Sequence, residues 1–363
     1  MVYKKSDGGE FRSTVVDKPG AGKDAWSAAQ YSTKLVGAQY FSEGAAATGF
    51  SFAYDYLSPR DGAGHGSHTA STAAGNNGVD ATVEGVDFGA ISGVAPAAKV
   101  AAYKACYDGP DPLVTTDDIC ALSDLLGAID QATADGVDVI NYSIGGGSAT
   151  SVLQPDDISF YNAAAAGVFV SVSAGNSGPD ASTADHASPW YTTVAASTIP
   201  TWEGTVELPN GFQKAGASVS VPFGERVTGP VVYSGDVALA GNANAPLCYL
   251  GSLDPAKVAG KIVVCDRGSN ARVEKSQAVK EAGGIGMILV NVTPGSLDND
   301  FHSVPTVHLP DTDRAALLDY VRGTADATAT LIGENVTGVE TPTPQVAGFS
   351  SRGPMLADGS DVI

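Results

Sequence analysis

Two short segments of the chain carry side chains that could catalyse the hydrolysis of an acyl bond. His65 lies between Gly64 and Gly66, so bulky neighbours would not block an approaching substrate. Asn176 directly follows Gly175, and its side-chain amide could project into a cleft. A nucleophilic serine needs a neutral imidazole to remove its hydroxyl proton, together with donors aimed at the developing oxyanion. Taken alone, His65 also fits an ordinary loop histidine and Asn176 a turn residue, so the interpretation depends on their surroundings.

The region from residue 99 to about residue 196 alternates between strand-like and helix-like patterns. This alternation predicts a parallel sheet with helices on both faces and right-handed crossovers. In such sheets, ligands bind beyond the carboxyl ends of the strands. Residues 141–147 and 173–176 both lie at that end, which indicates that they border one site. The predicted strands cover residues 100–105, 137–142 and 168–172, and the predicted helices cover residues 117–135, capped by Thr116, and a segment that includes residues 161–166.

A second unit of different character is predicted from about residue 222 to residue 332. Leu208-Pro-Asn-Gly211 indicates a hairpin turn before it. Strands are predicted at residues 260–266 and 285–291, with a short helix at residues 272–282 between them. Thr341-Pro-Thr-Pro344 has the composition of a linker that leads back to the first domain.

The composition describes a globular protein and argues against nucleic-acid binding. Of the 363 residues, 43% are hydrophobic and 17% are charged, which excludes a disordered chain. The net charge of -20 is unsuited to phosphate binding, which relies on clustered Lys and Arg. Because the acidic residues are spread along the chain, they fit a solubilising surface, a salt- or cold-adapted surface, or attraction to cationic substrates.

Membrane association is not predicted, since no apolar run reaches the roughly 18 residues that span a bilayer. The N-terminus lacks the apolar core of a signal peptide, which indicates a cytoplasmic protein unless the true start lies upstream. The four cysteines form two closely spaced pairs, Cys106 with Cys120 and Cys248 with Cys265. Each pair fits a local disulfide worth roughly 3 kcal/mol, with reduced thiols as the alternative. Zinc is disfavoured because no C-x-x-C pair or clustered histidine accompanies them, so no metal and no cofactor is predicted.

Several blocks of the sequence, in their order along the chain, resemble the subtilisin-like serine peptidases. Within that family the chain is most similar to the subtilases that carry an inserted protease-associated domain, as in the plant cucumisin-like group. The segment at residues 34–41 resembles the stretch between the aspartate and histidine blocks there, and residues 261–268, 279–289 and 304–309 resemble the inserted domain. The blocks are Asp61-Gly-Ala-Gly-His-Gly-Ser-His68, Gly93-Val-Ala-Pro96, Asp138-Val-Ile-Asn-Tyr-Ser-Ile-Gly145, Ser173-Ala-Gly-Asn-Ser-Gly178 and Phe349-Ser-Ser-Arg-Gly-Pro354.

The resemblance implies an α/β fold, with a subtilisin-like parallel sheet flanked by helices and an inserted, mainly-β protease-associated domain. The implied domains are residues 1–221, the first part of the catalytic domain, residues 222–332, the insertion, and residues 333–363, where the catalytic domain resumes. The implied activity is that of a secreted serine endopeptidase that cleaves proteins or peptides through an acyl-enzyme. The disulfide candidates fit such an extracellular protein, whose signal peptide is not in this chain. Its oligomeric state stays open.

The same resemblance assigns roles to individual residues. His65 would be the general base and then the general acid, and Asn176 would donate to the oxyanion. His68 would be structural, and Asp61 would lie too close to His65 in sequence to be the catalytic aspartate. The substrate-binding residues would be a backbone strip that pairs with an extended peptide, Ser143, Ile144, Gly145 and Gly146, and the lining of the primary specificity pocket, Ser173, Ala174 and Gly175.

Two blocks of the family pattern are missing from the sequence. No upstream aspartate precedes Ser-Gly or Thr-Gly, and Asp7 and Asp17 are the nearest candidates. No Gly-Thr-Ser-Met-Ala follows residue 354, and Ser350, Ser351 and Ser360 lack that context. We therefore expect an internal fragment that is inactive by itself, lacks a central strand and the nucleophile helix, and exposes unpaired sheet edges. The alternatives are a non-catalytic protein-binding module that acts through the inserted domain and, less favoured, a metal hydrolase that uses His65 and His68.

Overall fold

The computed structural model describes residues 1–18, 22–83, 86–110, 117–200 and 202–357, without the side chain of Val86. The predicted cap Thr116 and the candidate Ser360 lie outside these ranges. The chain divides into two compact units. The first comprises Met1–Gly175, Asp180–Val194 and the segment from Ser351 onward, and the second comprises Asn176–Pro179 and Ala195–Ser350.

The first unit contains parallel strand pairs, as the alternating pattern predicts, but these pairs form two separate pieces rather than one continuous sheet. One piece has the order β11-β10-β9, and the other pairs β3 with β6. Antiparallel pairs join β1 to β2, β4 to β5 and β7 to β8. The strands are β1 (Val2–Lys4), β2 (Glu10–Arg12), β3 (Leu35–Tyr40), β4 (Val79–Val83), β5 (Val86–Ile91), β6 (Val100–Lys104), β7 (Cys106–Tyr107), β8 (Ile119–Cys120), β9 (Val139–Tyr142), β10 (Phe169–Ser173) and β11 (Thr192–Val194), and the helices are α1 (Glu43–Ala47), α2 (His65–Ala74), α3 (Leu122–Asp135) and α4 (Pro155–Ala165).

The core of this unit lies between the sheet and the helices α3 and α4. Leu125 and Ile129 of α3 and Phe160 of α4 pack against Val170 and Val172 of β10. Phe160 is fully buried and meets the ring of Tyr142 edge-on at 5.0 Å between centroids. Burial of these side chains explains why the helical and strand patterns in the sequence predict the elements well.

Helix α3 begins later than predicted. The sequence pattern places its start at Asp117 and assigns Ile119 to its apolar stripe, but the helix begins at Leu122. Ile119 and Cys120 instead form β8, which pairs with β7 so that Cys120 faces Cys106. The two cysteines form the predicted disulfide. This cross-link holds the segment extended, and tertiary pairing therefore overrides the helical pattern.

The second unit is built around a closed barrel of strands in the order β12-β13-β17-β16-β15-β14-β18. Strands β14, β15, β16 and β17 run parallel to their neighbours among these four, and the remaining pairs are antiparallel. The predicted hairpin turn at residues 208–211 joins β12 to β13. The strands are β12 (Glu203–Glu207), β13 (Gln213–Ala217), β14 (Arg226–Tyr233), β15 (Ile262–Asp266), β16 (Gly286–Val290), β17 (Thr306–Leu309) and β18 (Thr328–Ile332), and the helices are α5 (Pro255–Val258), α6 (Arg272–Glu281) and α7 (Asp311–Gly323).

Alternate residues of the central barrel strands serve two separate cores. Ile262 and Val264 of β15 pack with Leu317 of α7, whereas Val263 and Cys265 pack with Val279 of α6. Because both faces are buried, β15 and β16 read as continuous apolar runs rather than alternating ones. Cys265 forms the second predicted disulfide, with Cys248. The barrel strands span residues 203–332, so the predicted boundary at residue 222 falls between β13 and β14.

Candidate active site

Helix α2 begins at His65, and its start is fixed by Gly64 and Asp61. Gly64 has φ of 86°, a left-handed conformation that side chains with a Cβ rarely adopt. The Asp61 carboxylate accepts the backbone N–H of Gly64 at 2.9 Å and that of Ser67 at 2.8 Å. Burial acts to raise the pKa of Asp61. These hydrogen bonds and the charge of Lys104 lower it by more, so the net shift is downward. Asp61 thus satisfies amides that the first turn of the helix leaves unpaired.

The far end of α2 is held by the Gly93-Val-Ala-Pro96 block. Gly93 donates to the carbonyl of Gly75 at 3.2 Å, and Ala95 donates to that of Ala73 at 2.8 Å. A Cβ at Gly93 would overlap the backbone of Gly75, so only glycine permits this approach. The block therefore anchors the C-terminus of the helix that carries His65.

The body of α2 is open to solvent. Ala74 is its buried residue, and the side chains of His65 and His68 are exposed. In the described part of the chain, neither imidazole has a hydrogen-bond partner. The small residues 69–73 are half-buried or exposed, so this part of the helix is not packed into a core.

The two predicted substrate-binding strips lie at one edge of the sheet. Strands β9 and β10 are parallel, with Tyr142 opposite Val172, so residues 143–146 and 173–175 leave the sheet side by side. Gly145 and Gly146 are exposed, and the hydroxyl of Ser143 accepts from the Asn141 amide at 3.1 Å. Backbone at the carboxyl edge of parallel strands is where such folds bind ligands.

A loop that the sequence interpretation missed connects these strips. Asp185 donates its backbone N–H to the carbonyl of Ala174 at 3.0 Å, and a Cβ at Gly145 would overlap its carboxylate. Its neighbour His186 is buried and shares a hydrogen bond of 2.8 Å, through Nδ1, with the carbonyl of Ser173. The sequence signal for this loop was the adjacent titratable pair Asp185-His186, which follows the Ser173–Gly178 block.

A cavity of about 510 Å³ separates the two pieces of the sheet in the first unit. Ala101 and Tyr103 of β6 line one side of it, and Val139 and Ile140 of β9 line the other. Within the described residues, β6 pairs with β3 alone and β9 with β10 alone, so both facing edges lack a neighbouring strand. Val139 of β9 is 58% exposed, whereas a residue of a strand inside a continuous sheet is covered by strands on both sides. The expectation of an interrupted sheet with unpaired edges is met here.

The chain matches a known protein family over most of its length. A model described as the Subtilase family matches residues 40–361, most of the chain. The chain belongs to the subtilase family. Its curated relatives include the subtilisin-like proteases SBT1.6 and SBT1.3 of Arabidopsis thaliana. The first is 41% identical over 333 residues and the second 42% identical over 337 residues.

The subtilase chain spans less than half the length of these relatives. Each alignment covers 88% of this chain, but 42% of SBT1.6 and 41% of SBT1.3. Among solved structures, the psychrophilic subtilisin-like protease Apa1 from Pseudoalteromonas sp. AS-11 is 17% identical, with a TM-score of 0.35 over 85% of this chain and 73% of that chain. Such a low score supports no further inference.

Two further candidate residues of this subtilase chain, Asn176 and Ser350, belong to the second unit. Asn176 is exposed and begins the short segment Asn176–Pro179 that groups with the second unit. Ser350 is buried, and its hydroxyl accepts the N–H of Ala196 at 3.1 Å, which gives it a structural role. Across the described ranges no cluster of three or more His, Cys, Asp or Glu could hold a metal ion, and no helix is long and apolar enough to cross a membrane.

Proposed function

We propose that the protein carrying this chain is a secreted serine endopeptidase that cleaves peptide bonds through an acyl-enzyme. The observation that carries the proposal is the parallel pairing of β9 and β10, which sets the strips 143–146 and 173–175 side by side. His65 acts as general base and then general acid, and Asn176 donates its side-chain amide to the oxyanion. Membership of the subtilase family supports these assignments.

The two strips divide the binding of substrate between them. Residues 143–146 offer exposed backbone to an extended peptide, which can pair with it as an added strand. Ser173, Ala174 and Gly175 line the pocket for the side chain that precedes the cleaved bond. Hydrogen bonds from Asp185 to Ala174 and between His186 and Ser173 support a rigid pocket wall.

The catalytic aspartate reaches the site on a strand that fills the cavity between β6 and β9. Two unpaired parallel edges with apolar lining favour an extended segment as the occupant. A strand parallel to β9 would end near its carboxyl edge, where residues 143–146 lie. This segment and the nucleophilic serine are supplied by sequence other than the blocks found in this chain.

The barrel of the second unit is a protease-associated domain that acts in substrate access or protein contacts. Its closed sheet and its likeness in sequence at residues 261–268 and 279–289 support this assignment. The two disulfides, Cys106–Cys120 and Cys248–Cys265, support an oxidising, extracellular setting.

The test uses the longest natural protein that contains this chain, assayed on a casein substrate and with a fluorophosphonate probe. We expect His65→Ala to reduce kcat by about 10⁶, and Asn176→Ala by about 10²–10³, magnitudes measured on subtilisins rather than worked from this structure. His68→Ala serves as the matched control and should retain activity. Full hydrolysis by the His65→Ala variant would refute the proposal.

The chain by itself is expected to be silent in the same assay. Without the aspartate and serine blocks, it should show no stoichiometric labelling by the fluorophosphonate. Labelling of the isolated chain would show that one of its own serines is an activated nucleophile.

A further inference from the structure

The carboxylate of Asp185 is held against both substrate-binding strips. A Cβ at Gly145 would overlap it, and a Cβ at Gly175 would lie 2.6 Å from either carboxylate oxygen. The glycines therefore leave room for an acid that touches the backbone of both strips. All of these residues belong to the first unit.

The main chain around Asp185 fixes the carboxylate in this position. Ala149 donates to the carbonyl of Ala184 at 2.8 Å, and Asp185 donates to that of Ala174 at 3.0 Å. The backbone amide of Gly147 acts to lower the pKa of the carboxylate. The next residue, His186, turns into the core, where its ring meets those of Tyr142 and Tyr191. Main-chain hydrogen bonds at Ala184 and Asp185 therefore hold this carboxylate in place.

The carboxylate lacks a cationic partner. Its Oδ1 is buried without a hydrogen-bond partner, and none of the ion pairs found in the described ranges involves it. Burial raises the pKa of Asp185, while the neighbouring His186 and the Gly147 amide act in the opposite direction. A partly buried carboxylate without a counter-charge is less stable than one in water, and a ligand cation would relieve this cost.

We propose that Asp185 forms the base of the pocket for the substrate side chain before the cleaved bond and selects lysine or arginine there. The inference rests on the proposed peptidase function, because it uses residues 173–175 as the pocket lining. An ammonium or guanidinium group entering between the strips would donate to the partly exposed carboxylate of Asp185. An acidic side chain would be rejected by the same charge.

The test measures binding of blocked peptides to this chain, so it does not depend on turnover. The peptides are acetyl-Ala-Ala-Pro-Xaa-amide with arginine, citrulline, leucine or glutamate as Xaa, and Kd is measured by calorimetry. Citrulline has the shape of arginine without its charge. We expect the arginine peptide to bind about 10–100-fold more tightly than the citrulline peptide, the range for one hydrogen bond to a charged group.

Two variants test whether Asp185 is the source of this preference. Asp185→Asn should reduce arginine binding to the citrulline level. Asp180→Asn removes an exposed carboxylate nearby and should keep the preference. Equal binding of arginine and citrulline to the unaltered chain, or a preference that survives in Asp185→Asn, would overturn the inference. The comparison of arginine with citrulline needs no variant, so a misfolded variant leaves the test decisive. Failure of every peptide to bind would instead contradict the proposed peptide site.

Discussion

Asp61 stabilises the first turn of helix α2, which carries His65, so its removal should destabilise that helix by a predictable amount. Helix α2 has ten residues and is mostly exposed, and isolated helices of that length are marginal in water. Its order therefore rests on its ends, where Asp61 accepts the N–H groups of Gly64 and Ser67. Removing such a cap costs about 1–2 kcal/mol.

The perturbation is Asp61→Ala, and the assay is amide hydrogen exchange of residues 67–72. A loss of about 1–2 kcal/mol corresponds to roughly 5–30-fold faster exchange through local opening. Asp61→Asn, which keeps an acceptor oxygen without the charge, should show a smaller increase. Asp87→Ala is the matched control, because Asp87 accepts the N–H of Gly89 at 2.8 Å within strand β5 rather than at the start of α2.

The effect also has a defined dependence on pH. The folded pKa of Asp61 lies below its ordinary value of 3.8, so the unfolded segment binds a proton more readily than the folded one. The stabilisation is therefore present above pH 3.8 and is lost as the pH falls through the folded pKa. Exchange of residues 67–72 within twofold of the unaltered chain in Asp61→Ala at neutral pH would refute this reasoning.

Two further predictions concern buried charges. Asp55→Ala should lower the free energy of unfolding by about 3–5 kcal/mol in guanidinium denaturation, because Asp55 and Lys104 form a buried ion pair at 2.6 Å. Arg12→Ala, which breaks an exposed pair, should cost less than about 1 kcal/mol, and similar losses in both would contradict the argument. Lys275 is fully buried, and burial lowers its pKa from 10.5 to about 7, so the unfolded chain binds the extra proton between these values. The stability of the unaltered chain should therefore rise with pH above about 7 relative to Lys275→Met, and parallel pH profiles would show that the pKa is not lowered.

Elements whose apolar pattern matches their burial were predictable from sequence. The strands near residues 100–105, 137–142 and 168–172 and the helix at residues 272–282 agree with the structure to within a few residues. The exception is the start of α3, where Ile119 fits a helical stripe but pairs with Tyr107 in β8. Periodicity reports which face is buried and does not report a partner strand brought in from elsewhere.

The sequence by itself determined the family, the elements of the sheet and the positions of His65 and Asn176. These features are local, because motifs, turns and apolar runs are written in consecutive residues. Only the tertiary structure decided what surrounds them: the capping of α2 by Asp61, the interrupted sheet between β6 and β9, and Asp185 beneath the two strips. The reason is physical, since the Asp185 carboxylate, twelve residues beyond the end of β10, meets Gly145 only after the parallel strands have paired and their connecting loops have closed.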